Sequence, residues 1–263
     1  MLLKPKKSLG QNFLHDKNII DKIIQASEIN DKDVVLEIGP GTGNLTSALL
    51  KKNPRKFIVI EKDDDLAEHL YKIFGDKIKI LKDDVLKIEE NSLNDDNLIV
   101  FGNLPYNIST EILCRWILNL KNNYWFDCLV LMFQKEVADR IIANFDTKNY
   151  GRLSILSNWK LKIEKVCDIR PSSFSPRPKI DSSLLLFKPK KDFYTIQNPY
   201  NLEKITRIFF MHRRKMIKKP FNQLFNGNSQ IAERLNIGLN MRPQNLNYET
   251  YYKLTDEYEK LNS

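Results

Sequence analysis

The chain has 263 residues, of which 42% are hydrophobic and 29% charged, and a formal net charge of +9. That length and apolar fraction support a folded body with a sizeable core and exclude a disordered tail or a disulfide-stapled miniprotein. The excess of Lys and Arg suits a polyanionic partner such as nucleic acid, while a lysine-rich solvated surface or a compositional bias would carry the same charge.

The opening stretch Met1-Leu2-Leu3-Lys4-Pro5-Lys6-Lys7 has no apolar segment behind its charges, and no run in the chain approaches the ~20 residues of a membrane span. Cys114, Cys128 and Cys167 are odd in number, lie far apart in apolar runs, and show neither disulfide nor zinc spacing. The expectation is a cytoplasmic protein with reduced cysteines and no metal.

In chain order, Gln11 and Asn12 put two amides on a polar segment that either folds over a ligand or is an ordinary N-terminal tail. Asp16 then caps a helix whose Ile19, Ile20, Ile23 and Ile24 recur at helical spacing. Val34 to Ile38 reads as a strand and runs into Gly39-Pro40-Gly41-Thr42-Gly43, followed by a helix through Leu45, Ala48 and Leu49. Glycines admit a ligand close to the backbone, and a helix start offers free N–H groups. The dinucleotide fingerprint needs its third glycine where Asn44 stands, so a nicotinamide cofactor is disfavoured.

A second strand, Phe57 to Ile60, ends in Glu61, placed to accept from two ribose hydroxyls. A third, Ile78 to Leu81, leads to Asp84, a candidate acceptor for an adenine amino group, and to Val85, which can line the ring. Three successive strand ends therefore describe a pocket for an adenosine-bearing cofactor that needs no pyrophosphate.

The fourth strand, Leu98 to Phe101, delivers Gly102-Asn103-Leu104-Pro105-Tyr106. Ligands of an α/β sheet bind at that edge. The Asn103 side chain and the Leu104 carbonyl can accept from an exocyclic amine, and Tyr106 can stack on its base. A plain strand-to-helix turn is the competing reading. Beyond it lie a helix from Glu111 to Leu120, a buried strand from Asp127 to Phe133, helices at 135–144 and 152–159, and strands at 162–167 and 183–187. The proline-rich loop from Arg170 to Lys179 carries Phe174, either a second stacking surface or a core residue.

Lys188-Pro189-Lys190-Lys191-Asp192 marks a boundary, and Lys204 to Ala232 contains no acidic residue. Read as one helix, this stretch puts Arg207, Arg214 and Lys218 on one stripe and Ile205, Phe209, His212 and Met216 roughly opposite, with His212 as a packing residue. The stripe suits phosphates, or it is a solvated basic face.

Several of these segments resemble the S-adenosylmethionine-dependent ribosomal RNA adenine N6,N6-dimethyltransferases. The likeness rests on Lys7-Ser8-Leu9-Gly10-Gln11-Asn12-Phe13-Leu14, Glu37 to Thr46, Phe101 to Ser109, Gln134 to Val137, Tyr150 to Ser154 and Pro171 to Pro176, and it continues to Arg242-Pro243. The resemblance implies an α/β, Rossmann-like methyltransferase sheet with helices on both faces and a small C-terminal all-helical domain, divided at 1–188 and 189–263. It implies S-adenosyl-L-methionine as cofactor, held by Gln11, Asn12, Leu14, Gly39, Gly41, Glu61, Asp84, Val85 and Asn103. It also implies a catalytic group of Asn103, Leu104, Pro105 and Tyr106, with Phe174 favoured as a stacking ring.

The implied reaction dimethylates N6 of two adjacent adenines near the 3′ end of small-subunit (16S) ribosomal RNA, in a partly assembled 30S particle, by a monomer. The alternatives are methylation of large-subunit RNA and an assembly factor whose RNA binding matters more than its catalysis. No His, Cys pair or carboxylate dyad accompanies the Asn103 segment, so hydrolytic and metal mechanisms gain no support.

Overall fold

A computed structural model describes residues 5–6, 9–93, 96–120 and 124–262. Met1 to Lys4, on which the reading of the N-terminus partly rests, and Lys7 and Ser8 of the first shared motif lie outside the described residues.

The chain divides into two compact units that do not follow it linearly. One comprises Met1–Ile112, Lys121–Ala138 and Ile163–Pro189; the other comprises Leu113–Leu120, Asp139–Lys162 and Lys190–Ser263. A cut near residue 189 is therefore present, and the second unit also takes in two earlier helical stretches that a linear reading assigns to the first.

The first unit is built on a seven-stranded sheet. Its strands are β2 (Val34–Ile38), β3 (Lys56–Ile60), β4 (Lys79–Leu81), β5 (Leu98–Gly102), β6 (Phe126–Gln134), β7 (Leu161–Ile169) and β9 (Ser182–Pro189), in the order β4-β3-β2-β5-β6-β9-β7. The five strands from β4 to β6 are parallel, and β9 runs antiparallel to β6. Parallel strands covered on both faces need continuous apolar runs. β2 and β5 are buried at every position. The expected strands all form, and each lies within two residues of its expected bounds at the ends that frame the site.

Two short strands, β1 (Phe13–Leu14) and β8 (Phe174–Ser175), pair antiparallel apart from this sheet. Helix α1 (Lys17–Gln25) follows β1, and Asp16 caps it by accepting from the N–H groups of Asn18 and Ile19. Its four isoleucines are buried in the core that also holds Leu45, Leu49 and Phe101. Helix α2 (Asn44–Leu50) follows β2, and α3 (Asp64–Phe74) follows β3 with Asp63 as its cap. Helix α4 (Ser109–Asn119) begins three residues after Tyr106.

The second unit is helical. It contains α6 (Arg152–Lys160), α7 (Pro199–Phe210), α8 (Lys218–Phe225), α9 (Ser229–Arg234) and α10 (Tyr248–Asn262), while α5 (Lys135–Ile141) spans the boundary between the units. Tyr251 sits between Phe209 and Phe210, and the buried Glu259 accepts from the N–H groups of Gln197 and Asn198 at the start of α7.

The single basic helix does not form. α7 ends at Phe210, Arg214 lies in the turn that follows, and Lys218 opens α8, so the three cations share no helical stripe. Tertiary bonds explain the break: Arg213 donates to the Gln244 side chain and to the Thr147 carbonyl, and Ile217 N donates to Met241 O at 2.8 Å. Burying Ile217 fully leaves His212 and Met216 exposed, so neither is a packing residue. Among the described residues no helix is long and apolar enough to cross a membrane.

Candidate active site

The order of strands reverses between β2 and β5, because the chain builds β3 and β4 on one side of β2 before returning to its other side. Such a reversal opens a crevice beyond the carboxyl ends of the strands. Ile38 and Gly102 are register partners there, so the glycine turn after β2 and the Asn103 segment after β5 leave the sheet side by side. A cleft opens at this point, and every expected cofactor residue lines it, as do Leu104, Pro105 and Tyr106.

The glycine turn is shaped by backbone. Gly39, Gly41 and Gly43 all have positive φ, and Gly43 provides the left-handed N-cap of α2. Gly41 is required twice over. Its φ is +58°, and a Cβ there would come within 2.8 Å of the Phe13 ring. Phe13, whose ring closes over the turn, is a wall residue that local sequence reading missed, because it arrives from another strand.

Two acids follow at the neighbouring strand ends, in the order expected. Ile38 pairs with Ile60, and Ile60 pairs with Leu81. The Glu61 carboxylate accepts from Asp63 N at 2.9 Å and from Gly41 N at 3.4 Å, and burial raises its pKa. It is therefore held rigidly against the turn it serves. Asp84 accepts from Lys62 at 2.8 Å and from Leu86 N at 3.0 Å, and the Lys62 hydrogen bond chiefly keeps its carboxyl below the ordinary value. Val85 is buried beside it.

A third acid, Glu37, also lines the cleft although the sequence pattern gave it no role. It is 2% exposed and accepts from the Thr46 hydroxyl at 2.7 Å. Burial pushes its carboxyl up to about 8, against that hydrogen bond and with help from the nearby Glu61 charge. A charged residue inside an all-buried strand was the available signal.

On the other side of the cleft, Asn103 Nδ2 donates to the Asn12 carbonyl at 2.8 Å. With its donor end committed, the Oδ1 end is the acceptor that remains. Leu104 is buried, and the Pro105 carbonyl accepts from Ile108 N and Ser109 N at 3.1 and 3.0 Å, which turns the chain into α4. Tyr106 is half-buried and its hydroxyl shares a 2.6 Å hydrogen bond with Ser182 Oγ at the start of β9. That bond orients the ring.

The N-terminal segment crosses this cleft. Gln11 lines it, yet both ends of the Gln11 amide are engaged within the protein: Oε1 accepts from Lys6 N at 2.7 Å, and Nε2 donates to Asp63 at 2.8 Å. The Leu14 carbonyl accepts from Asn44 Nδ2 at 2.8 Å, tying the segment to the start of α2.

Phe174 is a correction. It is 1% exposed, belongs to the apolar core with Leu14 and Ile169, and does not line the cleft. The pairing of Leu14 with Phe174 turns its side chain inward, so it offers no face to a base. Of the three cysteines, all of them free, only Cys128 is fully buried, and Cys114 and Cys167 are half-buried.

A Rossmann-like, largely parallel sheet with a glycine turn, an acid at each of the next two strand ends and an amide-proline-aromatic segment across the switch point marks an α/β protein of the methyltransferase class. The family described as ribosomal RNA adenine dimethylase matches residues 2–260, and the chain belongs to it. The ribosomal RNA small subunit methyltransferase A of Pelagibacter ubique (strain HTCC1062) is 62% identical over 261 residues, 99% of each chain. The protein of the same name from Wolbachia sp. subsp. Drosophila simulans (strain wRi) is 40% identical over 99% of this chain and 96% of its own. A dimethyladenosine transferase from Plasmodium falciparum superposes with a TM-score of 0.82 at 31% identity, covering 94% of this chain and 98% of its own. The 23S rRNA methyltransferase ErmE shares the fold, with a TM-score of 0.69 at 22% identity over 96% of this chain and 100% of its own.

Proposed function

We propose that the protein uses S-adenosylmethionine to dimethylate N6 of two adjacent adenines near the 3′ end of small-subunit ribosomal RNA. The observation that carries this reading is Asn103, an amide anchored by its donor end with its acceptor end remaining, in the cleft that Glu61, Asp84 and the glycine turn also line.

The cleft residues fit the donor. Glu61 stands where ribose hydroxyls would donate, Asp84 and Val85 where an adenine would lie, and the positive-φ glycines where only backbone would separate ligand from strand. When bound, the donor supplies an electrophilic methyl group. Asn103 Oδ1 and the Leu104 carbonyl accept the two amino hydrogens of the target adenine and draw its N6 lone pair out of the ring. The nitrogen would then bond to the methyl carbon as the donor's carbon–sulfur bond breaks and its sulfur departs as a neutral thioether; the alkylated nitrogen would afterwards release a proton to solvent, so no protein base is needed beforehand. Pro105 stiffens the segment, and the Tyr106 ring stacks on the flipped base, which returns about 1–3 kcal/mol against the cost of unstacking it. In-line placement accounts for the rest of the rate.

Gln11, Asn12 and Leu14 act from the segment that covers the cleft. The exposed cations Arg207, Arg214 and Lys218 meet RNA phosphates from the helical unit, with residues 189–263 serving as an RNA-binding domain. The setting is a partly assembled 30S particle in the cytoplasm, met by a monomer.

The test is to map dimethyladenosine in 30S particles and in naked small- and large-subunit RNA after incubation with the purified protein and labelled donor. Two adjacent dimethyladenosines in the small-subunit RNA are expected. Label confined to large-subunit RNA would overturn the substrate, and label on no adenine would overturn the reaction.

A further inference from the structure

Lys6 and residues 9–16 are tied to the rest of the protein at three places along the cleft. At the far end Phe13 and Leu14 pair with β8, His15 N donates to Ser173 O at 3.0 Å, and Asp16 accepts from the Ser173 hydroxyl at 2.8 Å. In the middle, the Asn12 carbonyl accepts from Asn103. At the near end the bonds converge on one carboxylate, that of Asp63.

Asp63 Oδ1 accepts from Lys6 Nζ at 2.7 Å, and Oδ2 accepts from Gln11 Nε2 at 2.8 Å. Lys6 Nζ also reaches Asp65 Oδ2 at 2.8 Å, and Lys6 N closes a ring onto Gln11 Oε1. Asp63 itself is 3% exposed, accepts from Asp65 N to cap α3, and donates its own N–H to Glu61 at 2.9 Å. Burial pushes its carboxyl up, yet the hydrogen bonds from Lys6, Gln11 and Asp65 N outweigh burial and hold it below its ordinary value. The buried Asp63 carboxylate thus joins the covering segment to helix α3, and the same residue reaches Glu61 through its backbone N–H.

The far end has no ion pair among the bonds named and depends chiefly on backbone pairing and apolar burial, which salt leaves intact. The near end depends on a charge-assisted pair whose Lys6 side chain is 43% exposed, and salt weakens it. The near end is therefore the one of the two that added salt loosens.

We propose that Asp63 is a positioning residue that latches the N-terminal segment over the cleft, so that its bonds to Lys6 and Gln11 set how fast the methyl donor leaves. This rests on the reading of the cleft as the donor site.

The test compares full-length wild type, Asp63→Asn, Lys6→Gln and Glu61→Ala by stopped-flow release of S-adenosylhomocysteine and by hydrogen exchange of the ligand-free protein. Asn still caps a helix well but removes the charge. Asp63→Asn is expected to speed release about tenfold or more and to speed exchange at Gln11 to Phe13, with Lys6→Gln acting in the same direction more weakly. The KM for the donor should rise by the same factor, with kcat falling far less. Release in wild type should quicken with salt, and this dependence should flatten in both latch variants.

If release and exchange are unchanged in Asp63→Asn while Glu61→Ala weakens binding, the latch is overturned and the donor site stands. If Glu61→Ala binds as wild type does, the donor site fails, and exchange at residues 11–13 decides separately whether Asp63 holds the segment. Lys6→Gln, outside every helix and strand, carries the test should Asp63→Asn melt early.

Discussion

The two sides of the cleft are built by different means. On the side proposed for the nucleoside, the glycine turn, Glu61 and Asp84 are set by the ladder of parallel strands: Gly39 N donates to Ile60 O and Glu61 N to Leu81 O, each at 3.0 Å. On the side proposed for the amine, Asn103 and Tyr106 are set by contacts with Asn12 and Ser182, which lie 91 and 76 residues away in sequence. The first side is positioned by the backbone of the sheet. The second exists only when distant segments have arrived.

Removing a side chain should therefore cost most on the amine side. Asn103→Ala is expected to lower methylation about 10²–10³-fold or more, while donor affinity falls by no more than about tenfold, measured by single-turnover transfer and calorimetry. Near-normal turnover in this variant would remove the division between the two sides.

The next effect belongs to the nucleoside side and is read as stability against pH. The buried Glu37 binds its proton more tightly folded than unfolded, with a pKa raised from 4.5 to about 8. Between those values the folded state holds more protons, so stability falls as pH rises, by up to about 1.4 kcal/mol per pH unit, and levels off above about 8. Glu37→Gln keeps an acceptor for Thr46 and removes the titration. Urea unfolding should show the variant gaining on wild type between pH 5 and pH 8. A difference that does not change with pH would mean that Glu37 stays ionised in the fold.

The smallest effect sharpens the amine side. Tyr106→Phe keeps the stacking ring and leaves the buried Ser182 hydroxyl without its partner, which should cost about 1–3 kcal/mol of stability and only a few-fold in turnover. A loss of turnover as large as that of Asn103→Ala would assign the phenol hydroxyl a chemical role beyond orientation.

The same difference explains what could be read in advance. The convergence of Gly39, Glu61 and Asp84 on one cleft was legible because β2, β3 and β4 are short apolar runs whose ends carry glycines or acids, and parallel neighbours bring those ends together. Phe174 was misjudged because whether a ring on a stiff loop faces inward depends on the pairing of β8 with β1, a contact 160 residues apart that no local pattern encodes. Phe13 and Asp63 went unnoticed for the same reason: one closes on Gly41 and the other collects Lys6 and Gln11 only in three dimensions. The basic stretch after Glu203 kept its composition and lost its geometry, because Arg213 and Ile217 bond to the chain near Met241 and Gln244 rather than continuing the helix.

The hydrogen bond from Asn103 to Asn12 also restricts what can occupy position 103. An amide has one end that gives a hydrogen and one that receives, and here the giving end faces a carbonyl oxygen at 2.8 Å. Aspartate has the same shape and size but receives at both ends when ionised, so it would set two oxygens against each other and push the covering segment off the cleft. The choice between two nearly isosteric side chains is made by a backbone atom of the lid, before any substrate arrives.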